Sequence, residues 1–155
     1  RNMRAVNPKA QVVFEKEDGT VLEFEEELPF DLEAEVIGIE DVDYGIWYID
    51  AMDHPERYDG KTLRFTAMAY KGKHLPEGYF VPGRMAMTCC ADDTAFIGFL
   101  CRSSYVDRLK QRQWITVTAK AHMEKRPEYN GEEGIVLHSV NIRKAEKPEE
   151  ELVYF

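Results

Sequence analysis

Cysteine is scarce in this chain, three residues in 155, and no two stand in a Cys-x-x-Cys spacing. That removes the usual zinc-ribbon and dithiol redox patterns. A glycine-rich phosphate loop and a Gly-x-Ser-x-Gly nucleophile elbow are also missing, so neither nucleotide hydrolysis nor serine esterase chemistry has its ordinary signature. No run of about 18 apolar residues occurs, so no segment reads as a membrane-crossing helix, and there is no signal peptide. The chain begins at Arg1 without a methionine, as expected of a processed or truncated product, so the missing membrane segment concerns these residues alone. Basic charge is short too. Through Asp43 there are thirteen acids against four bases, whereas from Tyr44 onward there are sixteen of each. An acidic flank works against nucleic acid and anionic membranes, because affinity for phosphate rests on Lys and Arg displacing counterions.

What is present suits a folded α+β protein, mainly β: 44% hydrophobic residues, with eight tyrosines and eight phenylalanines. Residues 1–57 read as an acidic N-terminal segment. In it, strands over Gln11 to Phe14 and Val21 to Leu28 flank Glu17-Asp18-Gly19-Thr20, a hairpin signal. Asp43 is placed to cap a helix carrying Trp47, Tyr48 and Met52 and ending near His54-Pro55; that helix should pack on the second unit. Residues 58–155 read as that unit. Leu63, Phe65, Ala67 and Ala69 alternate with polar or mixed positions, the period of a half-buried strand. Further strands are expected from Arg84 to Cys90, Ala95 to Cys101, Ile115 to Met123 and Ile135 to Ile142, with a short helix over Ser103 to Lys110. Three strands, a helix and two strands is the order of the oligomer-binding (OB) fold, a five-stranded Greek-key barrel. A different small barrel or an open sheet would fit the same pattern.

The most informative stretch is Met87-Thr88-Cys89-Cys90-Ala91-Asp92-Asp93. One cysteine would do for packing; a second beside it, at a strand end followed by two acids, points toward chemistry. A tight hairpin at Asp92-Asp93 puts Arg84 opposite Cys101, Ala86 opposite Phe99 and Cys90 opposite Ala95. Met85, Met87, Cys89, Phe96 and Leu100 then share the core face, and Cys90 lies on the other. Cys101 would stand about 20 Å from Cys90 at ~3.3 Å per residue, beyond the ~7 Å that a disulfide allows. Arg84, Cys90, Asp92 and Asp93 are the candidate ligand-binding residues. A divalent metal such as zinc would draw on Cys89, Cys90 and Asp93, with His74 from a neighbouring loop, once a bulge broke the pleat between the two cysteines. His122 should point outward and His138 into the core. Structural thiols with turn-forming acids explain the same residues without a metal. No catalytic residue is assigned.

Tyr58-Asp59-Gly60-Lys61, Gly78-Tyr79-Phe80-Val81-Pro82-Gly83-Arg84, the Met87 to Asp93 stretch and Gly98-Phe99 together resemble the YcgQ-like permease-subunit family. Trp47 followed by His54-Pro55-Glu56-Arg57 fits the approach to that family's barrel. The likeness spans about residues 40 to 144, and Ala67-Met68 stands where family members carry Gly-Phe. The resemblance implies a bacterial, membrane-associated protein with N-terminal membrane helices outside this chain, partnered by a multi-spanning permease. It carries Arg84, Cys89, Cys90 and Asp93 over as motif positions and leaves the transported substrate open. Three functions follow as expectations: a non-enzymatic accessory domain that binds the permease, with a metal or small ligand near Cys90; a thiol- or metal-dependent enzyme using Cys90 and Asp93; and a single-stranded nucleic-acid module. The acidic flank weighs against the third, the missing nucleophile–base pairing against the second.

Overall fold

The computed structural model describes residues 11–15, 21–25, 28–87 and 93–155. The first pair of strands, β1 (Gln11–Glu15) and β2 (Val21–Glu25), forms an antiparallel ladder of its own, with Gln11 opposite Glu25. The expected turn Glu17-Asp18-Gly19-Thr20 lies outside the described residues.

All other strands belong to one mixed sheet: β3 (Ile37–Gly38), β4 (Thr62–Tyr70), β5 (Tyr79–Met87), β6 (Thr94–Gly98), β7 (Cys101–Arg102), β8 (Trp114–Lys125), β9 (Glu133–Lys144) and β10 (Val153–Tyr154). One short α-helix, α1 (Tyr44–Asp53), accompanies them. The protein is therefore mainly β. β4 pairs with β5 (Met68 to Gly83), β5 with β7 (Phe80 to Cys101) and β7 in parallel with β9 (Cys101 to Leu137). β9 then pairs with β8, and β8 with β4 (Ala119 to Leu63), so the ladder returns to the strand it left.

The inward residues are those the alternation marks: Leu63, Phe65, Ala67 and Ala69 on β4, and Ile115, Val117, Ala119 and Ala121 on β8, all buried. Trp47 fills the core where α1 crosses it. Its ring centroid lies 5.2 Å from Tyr44, 5.1 Å from Phe65 and 5.4 Å from Phe99. Gly45 lets the helix come this close to β10. A Cβ there would fall 2.1 Å from the Tyr154 carbonyl oxygen, so nothing larger fits without moving the strand.

Four expectations need correction. Ser103 to Lys110 is not a helix but a loop holding one 3-10 turn, Val106–Arg108. The Ser103 hydroxyl accepts the Tyr105 amide at 3.1 Å, closing a local turn that competes with helix. Met85, Met87 and Phe96 are only half-buried, while Arg84, Ala86 and Ile97 are buried, so the core face of this hairpin is the opposite one. Its register differs as well: Met87 faces Thr94 and Arg84 faces Ile97, four residues away from the pairing that a turn at Asp92-Asp93 gives; the β5–β6 connection, residues 88–93, lies outside the described residues except for Asp93. That slip covers an even number of residues and leaves the faces unchanged; the inversion comes from an arginine pointing inward. Finally, His138 is half-exposed, because the inward residues of β9 are Ile135 and Leu137. His122 is half-exposed on the same outer surface, their rings 5.1 Å apart, and Glu124 is bonded to His138.

Candidate functional site

Cys89, Cys90 and Asp92 lie outside the described residues, within the 88–93 connection. Asp93, the last residue before β6, is exposed. The connection leaves β5 after Met87, and the surface leading to it is unusual for an outer sheet face. Met68 and Tyr70 on β4, Met85 and Met87 on β5 and Phe96 on β6 are all half-buried, where outward positions usually carry polar groups. Tyr70 and Phe96 have centroids 5.7 Å apart, and the exposed His74 packs 6.0 Å from Tyr70. His74 belongs to the β4–β5 connection, which joins β5 at Tyr79, the end opposite Met87. The two loops that would share a metal thus leave opposite ends of one strand. Among the described residues no three His, Cys, Asp or Glu side chains are grouped to hold a metal ion.

Arg84, the first of the four motif positions along the chain, is fully buried and ties chain segments together. Nη1 donates to Asp41 Oδ1 at 2.8 Å and to the Thr66 carbonyl at 3.4 Å; Nη2 donates to the Glu150 and Glu151 carbonyls at 3.1 and 3.2 Å. The guanidinium also stacks 5.1 Å from the Trp114 ring. Beyond Gly83, β4 no longer pairs with β5, and β10 takes over with Val153 opposite Ala86. Arg84 holds that junction from the inside. With methionine in its place, the amides of Val153 and Tyr154 should exchange with solvent at least about tenfold faster, while global stability changes less. Isosteric apolar replacement of a buried charge can be neutral, but local opening needs only the tail to detach. Hydrogen exchange followed by mass spectrometry checks both.

Sequence reasoning missed a second buried polar group. Asp50, fully buried on α1, accepts from the Tyr58 hydroxyl at 2.6 Å and from Arg57 Nη1. Two residues on, Asp59 Oδ1 accepts the Met123 amide at 3.0 Å, and Gly60, at φ 80°, turns its own amide onto the Ala121 carbonyl. A positive φ favours glycine. The run His54 to Lys61 is thus a clasp joining helix, turn and β8. Its sequence signal was an aspartate on the apolar side of a short helix.

Cys101 is the third thiol. It is fully buried, and burial pushes its pKa well above the ordinary thiol value. It should resist alkylation in the native protein and react only on unfolding, since the thiolate is the reactive form. Mass mapping after iodoacetamide at neutral pH tests this, and rapid native labelling of Cys101 would contradict it. Near the start of β5, Arg126 lies 4.7 Å over the Tyr79 ring and is paired with Glu128 at 2.9 Å. No helix among the described residues is long and apolar enough to cross a membrane.

No curated protein matches the chain. A chain from the crystal structure of the S. pombe Stn1-ten1 complex is similar at 15% identity, over 76% of this chain and 81% of that one, with a TM-score of 0.40. The family model described as the DUF1980 C-terminal domain matches residues 15–155. Spanning nearly the whole chain, clasp and cysteine pair included, that match shows that the protein belongs to the DUF1980 C-terminal domain family.

Proposed function

We propose that this domain is a non-catalytic accessory module of a membrane-associated protein, built as an OB-type barrel, and that it docks a multi-spanning permease. The carrying observation is the half-exposed apolar strip Met68, Tyr70, Met85, Met87 and Phe96 on the outer face of β4, β5 and β6. By contrast, the outer positions Thr116, Thr118, Lys120 and Glu124 of β8 are polar. Methionine and aromatic side chains adapt to a partner's shape and gain from burial against it. The closed ladder supports the barrel reading, and the resemblance of the Tyr58 to Asp93 motifs supports the permease reading.

In the same reading the 88–93 connection is where a divalent metal such as zinc would sit, on Cys89, Cys90 and Asp93. A bulge at the two cysteines would break the pleat that turns adjacent side chains apart. His74 joins the set only with the strand curved enough to bring its two ends together.

The test is photo-crosslinking in cells that co-express a candidate multi-spanning permease. A benzoylphenylalanine at Met85 or Phe96 should yield an adduct with that permease, and one at Lys120 should not. Equal yields from both faces, or none from Met85 and Phe96, would remove the docking proposal. For the metal, Cys89 and Cys90 should both be protected from thiol reagents and both released by a chelator, with the metal measured in the untagged protein.

A further inference from the structure

Residues of α1 and of the β8–β9 connection line an open cleft of about 360 Å³ that shares no residue with the apolar strip. This is within the range of small-molecule sites. Its walls include Tyr48 and Met52 from α1, Phe99 and Tyr129, and Glu132 and Glu133 also line it. The aromatic walls are fixed. Tyr48 and Phe99 stack at 4.9 Å between centroids. The Tyr129 hydroxyl donates to the Ile135 carbonyl at 2.6 Å and accepts the Leu100 amide at 3.0 Å. Its ring lies so close to Gly134 that a Cβ there would come within 2.8 Å. Met52 is 57% exposed, a large apolar side chain left uncovered beside these rings.

Both glutamates are exposed, and neither has an ion-pair partner among the described residues; Lys125, opposite Glu133 in the ladder, is itself exposed. We propose that this cleft binds a small organic cation, an alkylammonium group seated against the aromatic rings with the two carboxylates beside it. Ring faces carry negative quadrupole and attract a desolvated ammonium. The carboxylates add to that attraction and would repel an anion of the same size. A neutral apolar ligand would gain only from the walls and nothing from Glu132 or Glu133.

The experiment titrates the isotopically labelled 155-residue chain with choline, with n-butylammonium and with 3,3-dimethyl-1-butanol, the uncharged isostere of choline, following amide shifts by NMR. The expected result is saturable shifts at Ala51, Gly98 and Gly134 with one of the cations, and binding of the isostere about tenfold weaker. The double substitution Glu132→Gln with Glu133→Gln should weaken cation binding by about tenfold. Because both side chains are exposed, the unfolding midpoint should stay in place. The proposal is overturned by equal affinity for the isostere, by unchanged affinity in the glutamine variant, by saturable shifts confined to other residues, or by no saturation with either cation at millimolar concentrations.

Discussion

Trp47→Ala should lower the unfolding free energy by ~3–5 kcal/mol, the cost of emptying a large aromatic site in a core. Trp47 is 1% exposed and is the common neighbour of Tyr44, Phe65 and Phe99, which come from α1, β4 and the break between β6 and β7. Without it, three separate elements lose their shared contact. Phenylalanine should cost less, for two reasons. It keeps much of the ring contact, and it removes an indole N–H that is buried without an acceptor among the described residues, a group whose burial is itself unfavourable by ~1–3 kcal/mol. Met52→Ala, on the same helix but 57% exposed, should stay within about 0.5 kcal/mol of the parent. Urea denaturation of the three variants gives the ranking. A Trp47→Ala midpoint close to that of Met52→Ala would mean that α1 does not belong to the core.

What could be read in advance followed the distance over which each residue finds its partners. β4 and β8 were legible because their inward residues are apolar at every second position, a pattern local to the strand. α1 was legible from Trp47 within an acidic approach. β5 was not. Its inward set contains Arg84, and arginine is seldom fully buried; what makes it tolerable are Asp41 and the carbonyls of Glu150 and Glu151, lying 43 to 67 residues away along the chain. Apolarity alone therefore put Met85 and Met87 inside and inverted the hairpin. The short helix after Ser103 failed for a local reason, since its serine closes a turn onto Tyr105 instead of starting a helix. Of the candidate site, Arg84 could be singled out but its partners could not. The surface at β4, β5 and β6 emerged only once the faces were reversed.

The Asp50 clasp should be the other site of large effect. Asp50→Ala leaves the Tyr58 hydroxyl without its acceptor and Arg57, a mostly buried cation, without its counter-charge. Removing one partner of a buried ion pair costs ~3–5 kcal/mol, because the other charge stays desolvated. Asp50→Asn should cost less than alanine, since an amide oxygen still accepts from Tyr58. Tyr58→Phe should cost about 1–2 kcal/mol, and the double variant Asp50→Asn with Tyr58→Phe less than the sum, as expected of groups in one network. Alkaline pH gives an independent reading. Burial first, then the hydrogen bond to Asp50, raises the Tyr58 pKa far above its ordinary value. The unfolded chain releases this proton near pH ~10 while the folded protein keeps it. Stability from this group is therefore complete below pH ~10 and falls as pH climbs toward the folded pKa. Tyr58→Phe should flatten part of that alkaline fall, although the equally buried Tyr44, whose pKa is raised by burial too, leaves some of it in place. An alkaline limb identical in parent and Tyr58→Phe, measured by denaturant titrations between about pH 9 and 11, would show that the phenol is not held protonated and that the clasp is looser than its geometry.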